Sequence, residues 1–196
     1  MVKGWRQWWR RPQQWENRRL WVLDLELSGL DPKKDQVLSA GWVMIEQGQI
    51  RLNSAGHCVF RRIGEAPLTE ASVQVHHITD QQREKGVDLG AWLLIKLAEH
   101  ADDLWVFHHA VLDTAFLKHR CQKMGMKWPA PATLDTLRFE QKRMPATVPG
   151  FYQYLNLNAC RERYAMPAYR PHHALSDALA TAELCLAQIY GRLGAG

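Results

Sequence analysis

The segment Leu20–Leu27 (LWVLDLEL) places two acidic residues, Asp24 and Glu26, inside an apolar run of strand length. Residues two apart on a strand project from the same face, so the two carboxylates are neighbours. Neighbouring carboxylates beside a hydrophobic core are unfavourable unless a cation compensates their charge. A Lys or Arg partner would supply that charge, and so would a divalent metal ion, because hard cations prefer carboxylate oxygens. The sequence therefore predicts a buried strand that carries either an ion-pair site or a metal site.

The length and composition suit one globular domain. The chain has 196 residues, 46% of them hydrophobic, which is enough for one well-buried core and short for two. No apolar run approaches the length of a membrane span, and no apolar segment follows the basic N-terminus as in a secretory signal. We therefore expect a cytoplasmic protein. The cysteines form no CxxC pair, which predicts buried free thiols at Cys58, Cys121, Cys160 and Cys185.

The positive charge of the chain is concentrated at its N-terminus. The net charge is +5, and residues 1–19 contain six basic residues and one acid, so that the rest of the chain is neutral. This segment also contains four Trp at near-helical spacing, interrupted by Pro12. We expect residues 1–19 to be a basic Trp/Arg-rich extension and residues 20–196 to form the domain. The extension either packs its Trp onto the domain or a partner protein, or binds single-stranded nucleic acid through phosphate contacts and base stacking.

The order of apolar runs and turn signals predicts an α/β domain. Early strands are followed by helices that alternate with short strands, a pattern typical of a mixed sheet covered on both faces. Strands are predicted over 20–27, 37–45, 49–60 and 104–107, with a fifth strand or its margin at 132–137. Helices are predicted after Pro67, from the capping box Thr79–Gln82 to about His100, and over 112–123, 155–164 and 174–190.

Two further segments carry candidate functional residues. Asp113 lies at the beginning of a predicted helix just after the strand at 104–107, where α/β sheets commonly place their sites. Asp177 lies near the start of the last helix, and His172 precedes it in the entering loop. Taken alone, each Asp is most often a helix cap. A histidine, however, is well suited to take a proton from water near neutral pH.

Together these segments resemble a known family. Asp24–Pro32 (DLELSGLDP) resembles the motif D-x-E-x-[TS]-G-L-D-P of the DnaQ-like (DEDDh) 3′–5′ exonucleases of the ribonuclease H-like superfamily, and among them the DNA polymerase III epsilon-like proteins. His109–Asp113 and His172–Asp177 resemble the second and third motifs of that family. Val75–Thr79 (VHHIT) resembles its V-H-G-I-T segment, and Leu134–Leu137 (LDTL) its D-T-L strand. The resemblance covers roughly residues 20–190.

The resemblance implies a fold, an activity and a site. The fold would be a five-stranded mixed sheet flanked by helices on both faces. The activity would be metal-dependent hydrolysis of nucleic-acid 3′ ends to nucleoside 5′-monophosphates with two Mg²⁺ or Mn²⁺ ions. The general base would be His172, and the metal ligands would be Asp24, Glu26, Asp113 and Asp177. The substrate-binding residues would be Leu27, Ser28, Gly29, Leu30, His76 and His109.

The substrate and partners are left open by the sequence. Single-stranded DNA is favoured because the first motif most resembles polymerase III epsilon-like proteins, and RNA 3′ ends are the alternative. A polymerase or other protein partner would bind through residues 1–19. A non-catalytic nucleic-acid or polymerase-binding module is the alternative of another class, but its signature would be a missing carboxylate, and none is missing. For Leu30, packing within the turn is an equal alternative to contact with the terminal nucleotide.

The chain departs from the family pattern at several positions. The second motif has His109 and Leu112 where Asn and Phe are common, which leaves the hydrogen bonding around Asp113 open. Three His-His pairs, at 76–77, 108–109 and 172–173, invite a zinc-hydrolase interpretation. Zinc sites use regular local spacing, whereas these pairs are scattered and each falls at a family motif, so a zinc site is not expected.

Overall fold

A computed structural model describes residues 18–64, 68, 70–143 and 155–191. These residues contain a five-stranded sheet with the order β3-β2-β1-β4-β5. The central strand β1 pairs antiparallel with β2 and parallel with β4, and β4 pairs parallel with β5, so the predicted mixed sheet is confirmed. The strands are β1 (Leu20–Leu27), β2 (Val37–Glu46), β3 (Gln49–Val59), β4 (Leu104–Phe107) and β5 (Thr133–Asp135).

Helices cover both faces of the sheet, as predicted. The period-two alternation of β1 sends Trp21 and Leu23 into one core cluster and Leu20 and Val22 into another. Helices α3 and α4 pack in the first cluster and α7 in the second. The helices of the described residues are α1 (Glu70–His76), α2 (Asp80–Glu84), α3 (Leu89–Glu99), α4 (Ala110–Lys123), α5 (Thr136–Gln141), α6 (Leu157–Glu162) and α7 (Ala174–Tyr190).

The prediction of one helix from Thr79 to about His100 is wrong. The capping box at Thr79 and Gln82 forms as expected, but α2 ends at Glu84 and a new helix begins at Leu89. Between them Val87 forms a parallel bridge with Phe60 at the end of β3. A side chain at Gly86 would lie within 2.6 Å of the backbone of Phe60 and Arg61, so this glycine permits the close contact. A long-range backbone pairing therefore overrides the local helical pattern.

The fifth strand is shorter than predicted. Only Thr133–Asp135 pairs with β4, and Thr136 already begins α5. The Asp135 side chain accepts hydrogen bonds from the backbone N–H groups of Leu137 and Arg138, which makes it the N-cap of that helix. The strand therefore ends where a capping residue satisfies the first turn of the next helix.

The predictions for the cysteines and for membrane spans are partly tested by the structure. Cys121, Cys160 and Cys185 are buried free thiols, whereas Cys58 is only partly buried. Within the described part of the chain, no helix is both long and apolar enough to cross a bilayer. Most of the predicted N-terminal extension, residues 1–17, lies outside the described residues.

Candidate metal centre and active site

The two acids of β1 lie on the sheet face covered by α7. Asp24 and Glu26 continue the even-numbered side of the strand that begins with Leu20 and Val22. Carboxylate oxygens of Asp24, Glu26 and Asp177 lie within 4.8 Å of one another. The same-face geometry predicted from the spacing therefore occurs, and α7 adds a third carboxylate to the pair.

Close packing of α7 on β2 brings Asp177 to the strand. Gly41 of β2 pairs directly with Asp24. A Cβ built on Gly41 would lie 2.2 Å from the backbone carbon of Ala174 and the backbone nitrogen of Leu175, in the first turn of α7. The missing side chain thus lets the start of the helix lie on the sheet at the level of Asp24. Asp177 follows within the first turns of α7 and accepts a hydrogen bond from the His172 backbone N–H at 3.0 Å.

The fourth carboxylate, Asp113, belongs to the same electrostatic group. It is buried in α4, a helix whose N-cap position is occupied by His109, so Asp113 is not the cap that its position alone predicts. Burial raises the pKa of Asp113 well above its usual value, and the charges of Asp135 and Glu26 act in the same direction. Asp113 is therefore near enough to Asp24 and Glu26 for charge repulsion, although it is not among the three acids whose oxygens converge within 4.8 Å.

Asp135 forms the hydrogen bonds at the start of α4, just before Asp113, that the sequence left open. Its carboxylate accepts hydrogen bonds from the backbone N–H groups of His109 and Ala110, both at 3.1 Å. These bonds hold the entry to α4, where His109 has a left-handed backbone with φ 88°. Only the backbone of His109 takes part in these hydrogen bonds, and its imidazole is exposed.

The carboxylates repel one another in the absence of added positive charge. Burial raises the pKa of Asp24 well above its usual value, and the charges of Asp113, Asp177 and Glu26 raise it further. Burial raises the pKa of Asp177 to about 6, although hydrogen bonds from Tyr169 and the His172 backbone oppose the shift. Among the ion pairs of the described residues, none joins any of the four acids to Lys or Arg. Of the two sequence interpretations, the structure therefore favours a metal site.

The donor set fits a divalent cation. Oε1 of Glu26 and Oδ1 of Asp177 are buried and make no hydrogen bond to the residues that the structure describes. Buried oxygens of this kind are costly unless a ligand satisfies them. Hard divalent cations bind such carboxylate oxygens. Asp24, Glu26, Asp113 and Asp177 would therefore hold the ion or ions.

His172 lies at the entrance to the acidic cluster. It is exposed, its backbone has φ 63°, and its ring meets the His76 ring edge-on at 6.3 Å between centroids. His76 Nδ1 in turn lies 2.5 Å from Glu26 Oε2. His76 is thus placed against a candidate metal ligand, while the neighbouring His172 is exposed to solvent.

The histidine pairs do not form a zinc site within the described residues. His108 points inwards and uses both ring nitrogens, Nδ1 with Thr136 Oγ1 at 2.8 Å and Nε2 with the Leu155 carbonyl at 2.9 Å. His173 stacks on His57 with 4.7 Å between ring centroids. In the described part of the chain, the one group of three or more converging candidate ligands is the acidic one.

In the loop after β1, Leu30 is exposed and Ser28 is partly buried. Leu30 is 76% exposed, so the alternative of packing within the turn is wrong. The Ser28 hydroxyl accepts a hydrogen bond from the Gln36 backbone N–H at 2.9 Å, which closes the loop. A side chain at Gly29 would overlap the Asp35 carboxylate. Ser28 and Gly29 therefore shape the loop, and Leu30 is free at its tip to meet a ligand.

Sequence reasoning missed Tyr169. Its hydroxyl donates a hydrogen bond to Asp177, and its ring lies 5.1 Å from the guanidinium carbon of Arg161. Arg161 is buried and anchored by the carbonyls of Ala180 and Pro167. No motif marks Tyr169, because its role depends on contacts between the loop before α7 and α6.

The fold and the acidic centre are the arrangement that the motif resemblance implies. A profile of the family described as "RNase_T: Exonuclease" matches residues 21–185, and the chain therefore belongs to this exonuclease family. This match confirms the resemblance to DnaQ-like exonucleases that the three motifs predict.

Similar curated proteins are much longer than this chain. It is 29% identical over 172 residues to a DNA polymerase III PolC-type protein of Thermotoga petrophila, covering 87% of this chain and 12% of that protein. It is 28% identical over 167 residues to the 3′-5′ exonuclease DinG of Bacillus subtilis, covering 84% of this chain and 17% of that protein. The chain thus matches only a small part of the length of each relative.

Solved structures with the same fold have low sequence identity. The nuclease domain of 3′hExo, a DEDDh family member bound to rAMP, superposes with a TM-score of 0.74 at 15% identity, covering 91% of this chain and 94% of that one. E. coli exonuclease I in complex with a dT13 oligonucleotide gives a TM-score of 0.73 at 13% identity, covering 90% of this chain and 42% of that one. These similarities confirm the fold.

The raised carboxyl pKa values predict an unusual pH dependence of stability. A carboxyl group with a raised folded-state pKa binds its proton more tightly in the folded protein than in the unfolded chain. For Asp177 the unfolding free energy therefore falls as the pH rises from about 4 through about 6, and Asp24 and Asp113 extend the loss to higher pH. The lowered pKa values of several histidines, above all that of His108 at about 4, act in the opposite direction over the same range. The effect of the acids is therefore measured against an Asp24→Asn variant, which keeps these histidines. Without metal, raising the pH from 5 to 8 should lower the melting temperature of the wild type by about 5 °C relative to that of the variant.

Differential scanning calorimetry with a chelator, and then with excess Mg²⁺ or Mn²⁺, measures this effect. The added ions should restore the lost stability near pH 8 and have little effect near pH 5, because protonated carboxyls bind cations poorly. The Asp24→Asn variant should lose less stability than the wild type as the pH rises. Identical pH profiles of the metal-free wild type and the metal-free variant would contradict the assignment.

Proposed function

We propose that this chain is a metal-dependent 3′–5′ exonuclease that removes nucleoside 5′-monophosphates from nucleic-acid 3′ ends. The observation that supports this proposal is the convergence of Asp24, Glu26 and Asp177, with Asp113 in electrostatic contact and no Lys or Arg pairing among the described residues. A centre of this kind needs added positive charge, and a nucleic acid brings phosphates that bind the same cations.

The residues of the site have different roles in the proposed hydrolysis. Two divalent ions, Mg²⁺ or Mn²⁺, would supply the charge that stabilises the attacking and leaving oxygens of an in-line displacement. His172, exposed at the entrance, accepts the proton of the attacking water. The water oxygen bonds to the terminal phosphorus, the bond from phosphorus to the 3′ oxygen breaks, and that oxygen takes a proton from solvent. His76 and Tyr169 keep Glu26 and Asp177 oriented.

We favour single-stranded DNA as the substrate, with RNA as the second candidate. A curated relative is named as a DNA polymerase III PolC-type protein, and one solved neighbour is an exonuclease with an oligothymidine. Another is a 3′-exonuclease that recognises a histone mRNA stem-loop, which is why RNA is retained. A polymerase or other protein would bind residues 1–19, and deleting them should weaken that binding. The reduced thiols support a reducing compartment such as the cytoplasm.

Degradation of matched 3′-labelled DNA and RNA oligonucleotides tests the proposal. We expect Mg²⁺- or Mn²⁺-dependent release of labelled nucleoside 5′-monophosphate, faster from DNA, and none from the Asp24→Asn variant. Faster release from RNA would reverse the substrate preference and leave the exonuclease assignment. Metal-independent cleavage, or equal activity of the variant, would reject the assignment. Binding of the oligonucleotides without any cleavage would favour a non-catalytic binding module.

The exposure of Leu30 makes a separate prediction about substrate binding. Because Leu30 is 76% exposed, Leu30→Ala should leave the melting temperature unchanged. Loss of its contact with the terminal nucleotide should raise the oligonucleotide KM about five-fold at constant kcat. Leu52→Ala is a matched control, since Leu52 is 69% exposed on β3. An unchanged KM in steady-state kinetics would exclude Leu30 from the substrate-binding residues.

A further inference from the structure

A cavity of about 380 Å³ opens beside His172. One wall is the junction between α1 and α2, which contributes His77 and Gln82. The other wall is the loop before α7 and its first turn, which contributes Arg170 and Ser176. Because His172 and His76 also line it, the cavity adjoins the acidic centre but is built from other residues.

The lining of this cavity favours an anion. Arg170 supplies a permanent positive charge and several N–H donors, and each imidazole supplies at least one N–H in either tautomer. The Gln82 carbonyl oxygen accepts hydrogen bonds from Thr79, which leaves its amide nitrogen as the group that can donate into the cavity. None of the described residues that line the cavity is an acid. A phosphate group is the anion that a nucleic-acid substrate brings.

Two residues that line this cavity have a left-handed backbone. His77 follows the last residue of α1 with φ 54°, and its N–H donates to the Val73 carbonyl at 2.8 Å. That left-handed position after a helix normally favours glycine, and the V-H-G-I-T segment that VHHIT resembles has glycine there. His172, on the opposite wall, is also left-handed with φ 63°. Strained residues are often retained where their side chains have a role.

We propose that His77 and Arg170 bind a phosphate of the substrate strand other than the one that is hydrolysed. This inference rests on the proposed exonuclease function, because the cavity opens next to the base His172. The volume accommodates a phosphate with part of its sugar, so the strand adjoining the terminal nucleotide would lie across it. The free 5′-monophosphate product carries the same chemical group and is the second source of a phosphate.

Two variants and two substrates test the proposal. His77→Gly removes the imidazole and relieves the strained backbone, so it should fold at least as stably. Arg170→Gln removes the charge. For each variant, kcat/KM is measured with a DNA oligonucleotide and with a nucleoside 5′-nitrophenyl phosphate, a diester with no second phosphate on a strand. The ratio is the kcat/KM for the oligonucleotide divided by the kcat/KM for the nitrophenyl ester. We expect it to fall about ten-fold in each variant, because the KM for the oligonucleotide rises. Lys123→Gln, at the far end of α4, is the control for charge.

Each outcome of this experiment has a definite meaning. A lower ratio with an unchanged product inhibition constant supports binding of the strand. A raised inhibition constant for the nucleoside 5′-monophosphate at an unchanged ratio would assign the cavity to the released product. If neither quantity changes, the proposal is rejected. If the wild-type protein hydrolyses neither substrate, the exonuclease function itself fails, and the two failures are thereby distinguished.

Discussion

Asp113→Asn should abolish hydrolysis and at the same time make the metal-free protein more stable. Removing one carboxylate from the candidate metal centre weakens cation binding, and we expect at least about a 10³-fold loss of kcat/KM. The same substitution removes a buried charge that raises the pKa of Asp24 by repulsion. Without metal near pH 8, the melting temperature should therefore rise by about 5 °C. Oligonucleotide kinetics and calorimetry in chelator measure the two effects.

Asp103→Asn is the matched control for this prediction. Asp103 is also a buried acid, but its carboxylate lies 2.7 Å from His100 Nδ1 and 3.3 Å from Arg19 Nε. Removing a compensated carboxylate should lower the melting temperature and leave hydrolysis in place. If Asp113→Asn instead lowers the melting temperature as Asp103→Asn does, the negative charge of the four acids is already compensated in the metal-free protein. That result would contradict the proposed metal centre.

Gly41→Ala should disrupt the active site without altering any candidate catalytic residue. The new methyl group would lie 2.2 Å from the backbone at Ala174 and Leu175, so α7 must move away from β2. That movement carries Asp177 and His172 away from Asp24. We expect a destabilisation of about 2 kcal/mol, a loss of hydrolysis of at least about 10²-fold, and a smaller rise in melting temperature on addition of Mn²⁺.

Ser39→Ala provides a comparison on the same strand. Ser39 lies two residues before Gly41, and its buried hydroxyl makes no hydrogen bond to the described residues. Its replacement by alanine adds no volume, so stability and activity should be retained. A Gly41→Ala protein with normal kinetics and a full Mn²⁺ response would show that the position of α7 on β2 does not govern the site.

The local patterns of the sequence predict the sheet and the shared face of the two β1 acids well. The alternation in LWVLDLEL places Asp24 and Glu26 on one face, and the structure puts both against Asp177. Such inferences succeed because strand geometry is short-range and periodic. The motif resemblance supplies the remaining acids, which spacing alone would assign to helix caps.

The features that the sequence does not reveal depend on contacts between distant segments. Gly86 permits a backbone pairing that divides a predicted helix, and Gly41 permits the approach of α7. Tyr169 reaches Asp177 only because the loop before α7 folds back over Arg161. No local propensity encodes such contacts, so they become visible only once the chain is folded.

The four acids come from both layers of the molecule. Asp113 belongs to α4, which packs in the Trp21 cluster, whereas Asp177 belongs to α7, on the opposite side of the sheet. A cation bound between them would join the two helical layers as a non-covalent crosslink. Amide hydrogens in α4 and α7 would then exchange more slowly together when the ion binds, although few of them are near it.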